Sequence, residues 1–197
     1  HQSAKRYNDA LRAFTAALQK DSKYYIALTN RGYTWLEGGK PAEAEKDFSA
    51  SLQMQPNQPA VYGMRGTSKL VQGRWQDSIK DFDVVVRQNP DNGIAHADAG
   101  FARFFGKDFA GAMTAFNTVI EKDPEARFIN PWRVWTLLKL NKDTEASTIA
   151  QASRQKTDEQ KDWVDFVILF HVGDMTASDL LNKIDRSNTE IQTAQLC

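Results

Sequence analysis

Residues 59–92 read PAVYGMRGTSKLVQGRWQDSIKDFDVVVRQNPDN, and four of their positions return at a fixed distance on either side. Gly32, Gly66 and Gly100 lie 34 residues apart, and so do Ala44, Ser78 and Ala112. Phe48, Phe82 and Phe116 keep the same period, as do Pro56, Pro90 and Pro124. Four independent positions repeating three times leave no room for chance.

Each position has a physical reason. A glycine inside a helix costs about 1 kcal/mol against alanine and is tolerated where a second helix must approach closely. The small residue at Ala44, Ser78 and Ala112 is read as the other half of that contact. The phenylalanine follows four residues later on the same face and fills the space between helices. Each proline stops the second helix, because it lacks an N–H and clashes with the preceding turn. Gly38-Gly39, Gly73 and Gly106 are read as the turns between paired helices. The spacing predicts pairs near 26–38 with 41–54, 60–72 with 75–88, and 94–106 with 109–122.

A helix–turn–helix unit of 34 residues, with small residues at positions 8 and 20, an aromatic at 24 and Pro at 32, resembles the tetratricopeptide repeat. The resemblance implies an all-α fold, a right-handed superhelix of antiparallel helix pairs. Residues 25–58, 59–92 and 93–126 match as three full repeats. Residues 1–24 resemble a second helix, with Tyr7, Ala10, Phe14 and Ala17 in register and Ser22 where Pro would stand. The missing first helix predicts that the chain begins inside a larger protein. Residues 127–155 form a degenerate repeat, keeping Ala146 but carrying Val134 for Gly and Ala150 for Phe.

Two charges vary together along the chain. Arg31 and Arg65 stand at position 7 of their units, and Asp47 and Asp81 at position 23. The next unit has Ala99 and Ala115 at both places. The simplest reading is an Arg–Asp pair between the helices of one unit, contributing no more than about 1 kcal/mol if partly exposed. The alternative is that both charges are merely solvated.

The C-terminal part departs from this pattern. Pro131, Trp132 and Trp135 open an apolar helix ending at Asn141, and residues 143–154 form a second helix of small residues. Trp163, Phe166, Val167 and Phe170 fall at helical spacing, Gly173 ends that helix, and Thr176 or Ser178 caps the next. "TAQLC" at the end reads as the start of another helix, so residues 156–197 are taken as C-terminal helices cut short. This arrangement resembles bacterial envelope repeat lipoproteins of the new-lipoprotein-I type, which implies a periplasmic or cell-envelope setting.

Composition narrows the function. With 25 basic and 25 acidic residues the net charge is zero, which argues against nucleic-acid binding. No apolar run approaches the roughly 18 residues that span a bilayer. The histidines His1, His96 and His171 have no second ligand at helical spacing, so no metal site is expected. "EGGKP" ends in Pro and is a turn, not a phosphate loop, and no cofactor is implied. Ser and Thr residues lack a histidine in register, and Cys197, the single thiol, has no basic neighbour. The chain reads as non-catalytic.

In tetratricopeptide proteins the first helix of each unit lines a concave face. Carried over by position, that face offers Ile26, Tyr33, Leu36, Thr67, Leu70, Phe101, Phe104, Phe105 and Trp135 as partner-binding residues. The resemblance implies a protein or peptide partner held there. Members that grip a terminal carboxylate use Lys, Arg and Asn at such positions; here the groove is apolar and aromatic. Two readings stay open, a groove free for a partner and one filled by the chain's own later helices, with Phe104 and Phe105 covered first. A homodimeric adaptor with clients elsewhere, or a non-catalytic domain of a larger protein, is the alternative function.

Overall fold

Helix ends follow from a few backbone positions. In the computed structural model, which describes residues 2–157 and 159–184, Gly39, Gly73, Lys107 and Asn141 share positive φ values of 67, 73, 64 and 57°. They stand at one repeat position, so the left-handed turn persists into the degenerate repeat. Gly106, read above as the third turn, has φ −74°, and Lys107 beside it takes the left-handed conformation. A lysine there is strained where glycine would not be.

The chain divides into two compact units, His1–Lys107 and Asp108–Cys197. The first holds α1 (Gln2–Lys20), α2 (Tyr25–Glu37), α3 (Pro41–Met54), α4 (Pro59–Val71), α5 (Trp75–Gln88) and α6 (Gly93–Phe105). Consecutive helices pack on each other, and the first helices also meet, α2 against α4 and α4 against α6. Pro41 and Pro59 open their helices, where the missing N–H has no intrahelical partner to lose. A Cβ on Gly32 would lie 2.7 Å from the Phe48 ring, so the mid-helix glycine makes room for the aromatic. Phe48 and Phe82 are 0% and 1% exposed, and the Ser78 hydroxyl donates to the Gly66 carbonyl at 2.8 Å.

The second unit holds α7 (Phe109–Lys122), a 3-10 turn at Arg127–Ile129, α8 (Asn130–Lys139), α9 (Asp143–Arg154), α10 (Trp163–His171) and α11 (Ala177–Ile184). Its core gathers Val134, Leu137, Ala146, Ala150, Val164 and Ile168, so α10 closes over the degenerate pair α8 and α9. Thr176, rather than Ser178, caps α11, its Oγ1 accepting from the Asp179 amide at 3.1 Å. The segment "TAQLC" lies outside the described residues. Among the described residues every regular element is helical, and no helix is long and apolar enough to cross a membrane.

The paired charges meet inside their units. Arg31 binds Asp47 through Nε and Nη2, both at 2.7 Å, and Arg65 binds Asp81 through Nε at 2.9 Å and Nη2 at 2.7 Å. Asp47 and Asp81 are only 6% and 3% exposed, so these are buried carboxylates and not the solvated pairs the spacing allowed for. Hydrogen bonding to the carboxylates raises the pKa of both arginines against the opposing effect of burial. Lys69 adds a third bond to Asp81, at 2.7 Å. Each arginine also reaches the preceding repeat, Arg31 to Thr15 and Arg65 to Ser49, both at 3.3 Å. Arg133, at the same register of the degenerate repeat, bonds Asn117 at 2.9 Å.

Candidate interaction surface

An α-helix repeats its faces every three to four residues, so positions 2, 6, 9 and 13 of a first helix form one stripe. On α6 these are Ile94, Asp98, Phe101 and Phe105. The residues behind them, Ala95, Ala99 and Ala102, are buried, the last two in one core with Phe82 of α5. The small side chains let α6 sit close, which leaves the large ones facing out. Ile94 is 74% exposed and Phe105 38%, while Asp98 and Phe101 are half-buried. The matching stripe puts Ile26 on α2 at 44% exposure and Val71 on α4 at 62%.

The other residues expected here are less open. Tyr33 and Leu36 lean on the core of Ala44, Phe48, Leu52 and Val61, with the Tyr33 ring edge-on to Phe48 at 5.5 Å. Thr67 is half-buried and donates its hydroxyl to the Gly63 carbonyl at 3.1 Å. Leu70 packs against Phe82, Ala99 and Ala102. Phe104 is 6% exposed and serves the core, offering no contact area. Phe105 stacks on Trp75 at 5.5 Å and is 38% exposed. Trp135 belongs to the second unit, where it is half-buried between His171, stacked at 5.3 Å, and Trp132 at 5.6 Å. Tyr33, Leu36, Phe101 and Trp135 thus each keep part of their surface in water.

Asp98, at position 6, escaped the sequence reading, whose candidates stand at positions 2, 9, 12 and 13 of their repeats. A charged residue one turn from Ile94 on an otherwise apolar helix was the signal. Burial pushes its carboxyl up to about 6, and no other group contributes. Elsewhere, His96 bonds the Pro90 carbonyl at 2.9 Å. Burial lowers the pKa of His171 against a smaller opposing effect of the Val167 backbone. No group of three or more His, Cys, Asp or Glu side chains that could hold a metal occurs among the described residues.

Helix pairs in a constant register, with apolar side chains presented along one edge, define a helical-repeat protein. The chain belongs to the tetratricopeptide repeat family, whose profile matches residues 1–59 and 64–127. A search of curated protein sequences gives no significant match. Among solved structures it is similar to MamA, at 16% identity over 75% of this chain and 81% of that one, with a TM-score of 0.71. It is similar to a tetratricopeptide repeat protein of Parabacteroides merdae, at 16% identity, 96% and 76% coverage, and a TM-score of 0.69. YrrB, described as a TPR protein with an unusual peptide-binding site, matches at 17% identity, 92% and 84% coverage, and a TM-score of 0.68. At such identities the likeness establishes the tetratricopeptide fold.

Proposed function

We propose that this chain is a non-catalytic scaffold that docks a segment of a partner protein along the stripe of α2, α4 and α6. One observation carries the reading: Ile26, Val71, Ile94 and Phe105, at 44, 62, 74 and 38% exposure, share that stripe on successive first helices. Leaving such side chains in water forgoes about 25 cal/mol for every Å² of apolar surface, and an aligned set of them marks a partner site more often than chance. The peptide-binding site named for YrrB supports a peptide or helical segment as occupant. Aromatic and branched side chains at fixed spacing suit the apolar face of such a segment.

Capture from cell extract, with proteins identified by mass spectrometry, tests the reading on wild type and Val71→Ser/Ile94→Ser. Exposed substitutions of this kind shift stability by about 0.5 kcal/mol or less, so helicity by circular dichroism stays unchanged. The account predicts that a client present with wild type is lost. An identical client list moves the site off this face, and a dimer abolished by the same pair makes the face a seam between copies. For setting, we propose the bacterial cell envelope, on the Trp132, Trp135 and Trp163 pattern of the C-terminal part. Fractionation of cells carrying the full reading frame tests this, and recovery in the cytosol alone overturns it.

A further inference from the structure

Every cation on the first helices of His1–Lys107 is already paired. Arg31 binds Asp47, Arg65 and Lys69 both bind Asp81, each at 2.7 Å, and Arg103 binds Asp83 at 2.5 Å. All of these carboxylates come from the second helices α3 and α5. The two acids on the first helices themselves, Glu37 and Asp98, make no hydrogen bond or ion pair with the described residues. The charge left unanswered on these helices is therefore negative.

Its placement is specific. Asp98 follows Ile94 by four residues and precedes Phe101 by three and Phe105 by seven, which sets it in the middle of the exposed stripe. The same stripe on α2 and α4 carries no Lys or Arg. On the elements packed against α6, Arg65 and Lys69 of α4 bind Asp81 of α5, Asp83 binds Arg103 and Asp77 binds Lys80, while Arg87 near the end of α5 makes no ion pair with the described residues, Asp98 included.

We propose that this face docks a segment of a partner protein in which one Lys or Arg stands between apolar side chains, the cation on Asp98 and the apolar flanks on Ile94, Phe101 and Phe105. This rests on the docking reading above and names the chemistry of its occupant. A half-buried carboxylate with no partner is disfavoured, as its displacement to about 6 shows, and an arriving ammonium or guanidinium relieves it through a charge-assisted hydrogen bond. A single carboxylate is too few ligands for a structural metal. A second copy meeting this one face to face brings the same two acids into a low-dielectric seam, where like charges repel.

Panning a phage-displayed random dodecapeptide library on the whole chain tests the proposal. The selected peptides are expected to carry one Lys or Arg flanked by Leu, Ile, Phe or Val. A synthetic peptide from the selection should bind Asp98→Asn at least about tenfold more weakly than wild type, the share of one hydrogen bond to a charged group. Asp98→Lys should instead select Asp or Glu at the same peptide position. Asn is isosteric and removes an unpaired charge, so folding is retained, and circular dichroism checks it. Peptides lost with Val71→Ser/Ile94→Ser but indifferent to Asp98→Asn overturn the cation and leave the docking face standing. Peptides indifferent to all these changes overturn both. Dimerisation seen by sedimentation, abolished by Ile94→Ser and unaltered in Asp98→Asn, replaces the peptide with a second copy.

Discussion

Asp98 in His1–Lys107 and Asp165 in Asp108–Cys197 are both withdrawn from water, and the two units treat them in opposite ways. Asp165, 1% exposed, accepts from Ser153 Oγ and Lys156 Nζ at 2.7 Å, Arg127 Nη2 at 2.9 Å and the Asp162 amide at 3.1 Å. Burial acts to raise its pKa, but those hydrogen bonds outweigh it and hold the carboxyl well below the usual aspartate range. Asp98 receives nothing from the described residues, and burial acts alone. A carboxylate that ties α9, α10 and the 3-10 turn together belongs to the architecture. One left bare on an exposed stripe answers to something outside the chain.

Breaking the cage should have the largest effect. Asp165→Ala leaves Lys156 without its carboxylate, Arg127 with Asp162 alone and the buried Ser153 hydroxyl without its acceptor, and is predicted to cost about 3–5 kcal/mol in urea unfolding. A cost below about 1 kcal/mol would reduce Asp165 to an ordinary surface acid. Within the first unit, Arg31→Ala leaves Asp47 with no cation, whereas Arg65→Ala leaves Asp81 with Lys69. The first should cost about 2–3 kcal/mol, less than a fully buried pair because water reaches the arginine, and clearly more than the second. Equal losses would mean that Lys69 contributes nothing.

Removing Asp98's charge should do the reverse. Asp98→Asn is predicted to stabilise the free chain by about 1–2 kcal/mol at pH 7, the linkage of its raised pKa discounted for partial exposure. Because the folded pKa is raised, the burden is absent below the ordinary aspartate value near 4. It grows as pH rises and is complete above about 6. Asp165 has the opposite sign: its contribution is present above about 4 and lost as pH falls below that value. Urea midpoints from pH 3 to 8 for wild type and Asp98→Asn read both limbs, and a difference independent of pH refutes the assignment. The smallest effect is Lys107→Gly, which relieves a left-handed lysine and should add up to about 1 kcal/mol. Destabilisation would show that the side chain offsets its strain.

The sequence was legible where a period existed. Helix ends were placed to within about a residue because Gly and Pro mark them mechanically, and the Arg–Asp pairs surfaced because two charges came and went together. Lys69 on Asp81 occurs in one unit only, so no repetition announced it. The reach of Arg31 and Arg65 to Thr15 and Ser49 was hidden by the neutral, varied partners at that position. Asp165 and its cage have no counterpart to compare. Asp98 was missed because the positions taken from the resemblance skipped its place on the stripe, although helical phase with Ile94 and Phe101 puts it there.

Photo-crosslinking shows whether a partner sits on the α6 stripe. A photoreactive side chain at position 94, and in a separate variant at position 54, samples two apolar sites, Ile94 on α6 at 74% exposure and Met54 on α3 at 43%. The account predicts a discrete adduct from position 94 in cell extract, absent from position 54, and competed away by a dodecapeptide with one Lys between apolar residues. Adducts from position 54 alone, or equal adducts from both that the peptide leaves untouched, would contradict it.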